Sequence, residues 1–226
     1  MLDLKGVNAS IGTIPILRDI DIGIGAAETV AMIGRNGAGK TTFLRTIMGF
    51  TKTSGEIRFD GQRIDGLSPP KRPGLGIGYA PEDRRLFSAF TVEENILLPA
   101  QAAGLDAEET RSRLDRAYGI LPELRDMADR PGGSVSGGQG KMVALARALM
   151  LGRKLVLLDE PFQGLAPALA QRYSEALRRL RDSDRSVTLI ITESNPALLR
   201  GFADRTLVIE RGEVSEAARQ SEGETA

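Results

Sequence analysis

A chain of 226 residues with 41% hydrophobic side chains can bury a substantial core, as one large domain or two small ones. Thirty Lys plus Arg balance thirty Asp plus Glu, so no electrostatic excess draws the protein onto nucleic acid or an anionic bilayer, and phosphate binding would need a local site. The lack of cysteine excludes disulfides, thiolate zinc sites and thiol catalysis, while no apolar run is long enough to cross a membrane, so any membrane link would go through a partner. The start MLDLKGV has neither the basic flank nor the apolar core of a signal peptide, and the cytosol is the expected compartment.

In chain order, ILRDIDIGI (16–24) places Ile20, Ile22 and Ile24 at period two, which predicts a strand with one wet face. TVAMI (29–33) is a continuous apolar run, the pattern of a parallel strand covered on both faces, and KTTFLRTIM then predicts a helix. GEIRFDG (55–61) is another short strand between turn residues. From 84 to 152 the pattern turns helical: Asp106 and Glu109 form a capping arrangement, and Leu114, Ala117, Tyr118 and Leu121 follow at helical spacing. LVLLD (155–159) and VTLII (187–191) are again buried strands. A helix with Leu169, Tyr173, Ala176, Leu177 and Leu180 on one stripe follows the first, and Asn195 with Pro196 reads as the cap and first turn of another after the second. Repeated strand-then-helix order argues for an α/β fold with a parallel sheet and a helical insertion over 84–152. The polar end, 213–226, is expected to be a frayed tail.

GRNGAGKTT (34–42) fills the G-x-x-x-x-G-K-[ST] pattern between a buried strand and a helix, the context that pattern requires. Gly34, Gly37 and Gly39 let the backbone curl so that N–H groups and the helix start face the β- and γ-phosphates of a nucleotide. Lys40 adds positive charge there, and Thr41 offers a hydroxyl to Mg²⁺. Far downstream, Asp159 ends LVLLD where a carboxylate can hold Mg²⁺, and Glu160 is placed to polarise an attacking water. In SVSGGQGKMVALARALM (134–150), Ser136 with the N–H groups of Gly137 and Gly138 makes a second anion-seeking helix start; Met142, Leu145, Ala146 and Leu149 share one helical face. That start is either a glycine-rich cap or a contact to the γ-phosphate held by another subunit.

The order GRNGAGKTT, YAPEDRRLF, VSGGQ, LVLLDEP, GLAP resembles the ATP-binding subunit of an ABC transporter. The wording APEDRRLFSAFTVEEN and GLAP is most similar to importers of branched-chain and other hydrophobic amino acids. The resemblance covers residues 1 to about 215 and implies one P-loop NTPase (RecA-like) domain. Its nucleotide-binding core, with an N-terminal antiparallel β subdomain, would occupy 1–83 and 153–212, and a helical subdomain 84–152. It implies ATP and Mg²⁺ as ligands, with Asn36, Ala38 and Thr42 completing the phosphate loop, Ser136 to Gln139 as the signature, and Gly164 to Pro167 crossing a dimer seam. Glu82 would link metal and water to membrane permease subunits. The other implied partners are a second ATPase subunit or a second copy, and indirectly a solute-binding protein, at the cytoplasmic face of the membrane; nucleic acid is not expected. A non-transport ABC-type ATPase or a regulatory nucleotide-binding module is the alternative.

Three positions depart from the family pattern. Ile11 stands where an aromatic ring usually stacks on adenine; stacking is worth about 1 to 3 kcal/mol per base, so weaker ATP binding is expected. Glu82 replaces a neutral amide. Ser194, in a chain without histidine, stands where a histidine usually touches the γ-phosphate, and losing one preorganised donor typically costs about 10² to 10³ in rate. Ser194 could equally belong to the cap region before Asn195 and Pro196. A slow ATPase that works beside a non-identical subunit is therefore expected. Leu86, Phe87 and Phe90 are candidates for permease docking, or else belong to the helical core.

Overall fold

The computed structural model describes residues 1–217, and their strands form two sheets. In the first, β1 (Leu2–Ile11), β2 (Ile14–Ile24), β4 (Lys52–Phe59) and β5 (Gln62–Arg63) pair antiparallel in the order β2-β1-β4-β5. In the second, β3 (Thr29–Ile33), β6 (Ile77–Ala80), β7 (Leu155–Asp159), β8 (Thr188–Glu193) and β9 (Arg205–Glu210) run parallel in the order β9-β3-β8-β7-β6. A short strand β10 (Glu213–Glu216) pairs antiparallel with β9 at one edge. The helices are α1 (Lys40–Ile47), α2 (Val92–Ala102), α3 (Ala107–Ile120), α4 (Gly137–Leu151) and α5 (Pro167–Ser183).

The parallel sheet is covered on both faces, and its side chains alternate between two cores. Leu155 and Leu157 of β7 join Ile190 of β8, Phe43, Leu44 and Ile47 of α1 and the inner face of the antiparallel sheet. Val156 and Leu158 join Leu189, Ile191 and the helices α2 to α5 on the other side. This explains why the sequence pattern of these strands is a continuous apolar run. The stripe on α5 lies as expected, with Tyr173, Ala176, Leu177 and Leu180 buried. Asp106 caps α3 by accepting from the Glu109 N–H at 2.8 Å. The helices of 84–152 share one apolar cluster with the sheet and so are not separately cored.

Two expectations are corrected. The tail does not begin at Glu213: residues 213–216 are a strand, and the Ala217 N–H continues the contact to Thr206 O at 3.0 Å. The rest of the expected tail, 218–226, lies outside the described residues. The segment after β8 is one 3-10 turn, Pro196–Leu199, capped by Asn195 Oδ1 on the Ala197 N–H, because the chain must return at once to enter the sheet as β9.

The helix that leaves the glycine loop is anchored at its far end by Arg72, 2% exposed. Its Nη1 donates to Thr46 O at 2.9 Å and Ile47 O at 2.6 Å, and its Nε to Leu67 O at 3.1 Å. A guanidinium here satisfies the Ile47 carbonyl, adds a second donor to Thr46 O beside the Gly49 N–H at 3.0 Å, and meets the negative end of the helix dipole. Arg72→Met is expected to lower stability by about 1–3 kcal/mol, because Ile47 O then stays buried without its donor. A shifted urea midpoint with an unchanged m value is the measurement that checks it.

Candidate active site

Parallel order sets the site. Strand β8 lies between β3 and β7, so the C-terminal ends of all three, with the loop 34–39, meet at one edge. The three glycines of that loop serve different purposes. Gly37 and Gly39 have φ of 81° and 115°, a left-handed backbone that side chains resist. At Gly34 a Cβ would sit 2.5 Å from Ile209 O, so glycine is required there by the close approach of β9.

Lys40 is 4% exposed and folds back over the loop. Its Nζ donates to Gly34 O at 2.7 Å and Arg35 O at 3.1 Å, and pairs with Glu160 Oε1 at 2.9 Å. Asp159 receives three hydroxyls: Thr41 Oγ1 and Thr192 Oγ1, each 3.0 Å from Oδ1, and the Tyr79 phenol, 3.1 Å from Oδ2. Burial nonetheless pushes the Asp159 carboxyl above its ordinary value. Ser194 Oγ lies 3.0 Å from Asn36 Oδ1 and 3.1 Å from Glu160 Oε2. It has one proton for two acceptors, so it ties the glycine loop to Glu160 by one bond at a time. Asn195 makes the cap, which leaves Ser194 free to face the loop.

Lys40, Thr41, Asn36, Asp159, Glu160 and Ser194 are thus joined in one network. Thr42 and Ala38 belong to the same loop and helix start, with Thr42 buried and Ala38 packed against the inter-sheet core. Glu82 is exposed, and its connection to the network is through space, as one of the acids acting on Lys141. Ile11 is 51% exposed at the β1–β2 hairpin, opposite Ile14 at 64%. Ser136 to Gln139 close on themselves: Ser136 Oγ accepts from the Gln139 N–H at 3.3 Å and Gln139 Oε1 from the Ser136 N–H at 2.9 Å. The docking candidates divide. Leu86 packs against the helical core, while Phe87 and Phe90 stack at 5.4 Å on the surface, 52% and 39% exposed.

Tyr79, Thr192, Lys141 and Glu193 were not singled out in the sequence. The one available signal was polarity inside apolar runs, as Thr192 and Glu193 extend VTLII and Lys141 interrupts the face of α4. Glu193 is 2% exposed; burial raises its carboxyl to about 7, although its Oε1 accepts from the Phe162 N–H at 2.9 Å.

Among known proteins, the family model described as ABC transporter matches residues 17–163. The high-affinity branched-chain amino acid transport ATP-binding protein BraG of Pseudomonas aeruginosa is 37% identical over 215 residues, covering 95% of this chain and 91% of that protein. A probable branched-chain amino acid transport ATP-binding protein, LivF of Archaeoglobus fulgidus, is 35% identical, covering 95% and 90%. Among solved structures, a dimeric post-hydrolysis state of an ATP-binding cassette bound to ADP and Pi matches with a TM-score of 0.82 at 25% identity, covering 96% of this chain and 98% of that one.

A carboxyl raised in the folded state stabilises the fold below its unfolded pKa, and that contribution is lost as pH rises through the folded value. For Glu193 the window runs from about 4.5 to about 7. Glu193→Gln, which keeps an oxygen for Phe162, is therefore expected to gain up to about 3 kcal/mol over the parent between pH 4.5 and 8. Urea midpoints of both proteins across that range give the comparison; parallel curves would rule out the buried ionisation.

Proposed function

The chain belongs to the ABC transporter family, and we propose that it is the ATP-binding and hydrolysing subunit of an importer, coupling ATP-driven dimer closure to uptake of amino acids or related small polar solutes through separate permeases. The observation that carries this reading is the junction of Lys40, Thr41, Asp159 and Glu160 at one sheet edge. BraG and LivF, both branched-chain amino acid transport proteins by name, support the substrate class.

Before nucleotide arrives, Lys40 is neutralised by Glu160. Phosphates entering the glycine loop compete for the same ammonium, so their binding releases the Glu160 carboxylate to accept a proton from water. The hydroxyl of Thr41 and the carboxylate of Asp159, already 3.0 Å apart, form a hard oxygen pair suited to Mg²⁺. Thr41 and Asp159 would hold that ion, which would supply positive charge to neutralise the phosphate oxygens of the nucleotide. Thr192 and Tyr79 hold the Asp159 oxygens in place for it. The Ser136–Gln139 helix start would act on a nucleotide held by the second subunit, its two glycine N–H groups facing that phosphate.

Docking to a permease is supported by a groove of about 450 Å³ whose walls include Phe50, Pro73, Pro81, Arg84 and Pro99. Phe50 is 59% exposed, and the Phe87–Phe90 pair adds further apolar surface. No helix among the described residues is long and apolar enough to cross a membrane, so such docking is how the subunit would be held at the cytoplasmic face. Ser194 in place of an imidazole supports the reading of a slow site that works beside a second, non-identical ATPase subunit.

Glu160→Gln is expected to lower ATP turnover by about 10²-fold or more while Mg²⁺–ATP binding stays within a few-fold of the parent. Phosphate release and equilibrium binding of a fluorescent ATP analogue read the two; full turnover in this variant removes Glu160 as the base. Ser194→His is expected to raise turnover, by up to about 10². Equal or lower turnover would show that Ser194 does not limit the rate.

A further inference from the structure

Lys141 is the one charged side chain in an otherwise apolar or glycine run, Gly140 to Ala146 of α4, and is 9% exposed. An ammonium buried this far needs partners. It has two kinds: its Nζ donates to the backbone oxygen of Glu160, and the acids Glu193, Glu82 and Glu160 act on its charge. Burial pushes the ammonium down and these acids oppose the shift.

The peptide that Lys141 grips is an unusual one. Glu160 has φ of 44°, a left-handed conformation that costs a side-chain-bearing residue of order 1–3 kcal/mol unless its surroundings enforce it. Both polar groups of the residue are enforced. The Glu160 N–H donates to Thr192 O and Thr192 Oγ1, each at 3.1 Å, and the carbonyl accepts from the Lys141 ammonium and from the Gln163 N–H at 3.2 Å. This bend sends the Glu160 side chain back toward the loop, where it meets Lys40 and Ser194.

We propose that Lys141 is a positioning residue for the Glu160 carboxylate: it shares the carbonyl of the left-handed residue with the local Gln163 N–H and, as the donor that comes from another element, makes the aim of the carboxylate depend on where helix α4 stands. The proposal rests on the reading of Glu160 as the base. Lys141 lies five residues, about one and a half turns, beyond Ser136, on the helix whose start is read as contacting the nucleotide of the second subunit. Occupancy of that neighbouring site would then be felt at this chain's own carboxylate through a single side chain. Both sites of a dimer would become coupled by it.

Lys141→Met keeps the volume and removes the donor. Turnover is expected to fall about 10- to 100-fold with the KM for ATP within about twofold, because the loop contacts to phosphate are untouched. Lys141→Arg, which keeps a donor of similar reach, should restore most of the loss. Added to Glu160→Gln, Lys141→Met should cause no further drop, since a base that is gone cannot be misaimed. Thermal melts establish that each variant folds, and Lys141→Leu, equally without a donor, serves the same comparison if the Met variant does not. Parental turnover in Lys141→Met, failure of Lys141→Arg to recover activity, or a loss that simply adds to that of Glu160→Gln overturns the proposal. Full turnover in Glu160→Gln alone would instead overturn the reading beneath it.

Discussion

The Lys40–Glu160 ion pair is the constraint on which the site depends. Both side chains are almost wholly removed from water, 3% and 6% exposed, and two such charges are tolerable only when they neutralise each other and their remaining hydrogen-bonding capacity is used. Here the carbonyls of Gly34 and Arg35 take two ammonium protons and Ser194 reaches the second carboxylate oxygen. The glycine loop is therefore already curled around a cation. A triphosphate entering it replaces one anion with another rather than organising a disordered loop, which keeps the entropic cost of binding low.

Strand order explains why so much chemistry gathers at one edge. With β8 between β3 and β7, its last residues necessarily separate the glycine loop from the Asp159–Glu160 corner. Thr192 serves the β7 side, holding both the Asp159 carboxylate and the Glu160 N–H, and Ser194 serves the β3 side through Asn36. A permuted order would break this division even with every motif intact. The sheet is thus part of the site, and the helices behind it supply what the strands lack, as Lys141 does from α4.

The elements that can be read in the sequence are those whose cause is local. Alternation fixed β2, continuous apolar runs fixed β3 and β7 to the residue, and the spacing of glycine, lysine and threonine marked the loop. What could not be read has a partner distant in the chain. Gly6, at a φ of 55°, shifts the register of β1 between Leu4 and Val7, which masks its alternation; β6 is four residues long and contains Gly78, whose missing side chain admits Ala148 O. Tyr79 gains its meaning only when β6 lies beside β7 and the phenol meets Asp159. Strand β10 is polar because it is a wet edge, and polarity alone suggested a tail. Ser194 was conspicuous for what it replaces, but its two acceptors come from residues 158 and 34 positions away.

The start of α4 bears on what one chain can do alone. Its capping box uses the Ser136 and Gln139 N–H groups, and Ser136 takes the position that best satisfies an isolated helix end. Glycine at 137 and 138 needs a reason, because a side chain in a helix costs less backbone entropy. At Gly138 the space explains the choice, since a Cβ would lie 2.4 Å from a Leu169 methyl. At Gly137 the nearest atom is the tip of Arg84, 3.2 Å away, a flexible neighbour that could yield. The packing of this chain therefore accounts for one glycine and not the other. A close approach of another molecule to the exposed Gly137 backbone is the constraint that would complete the account, and it is one that the fold of a single cassette does not supply.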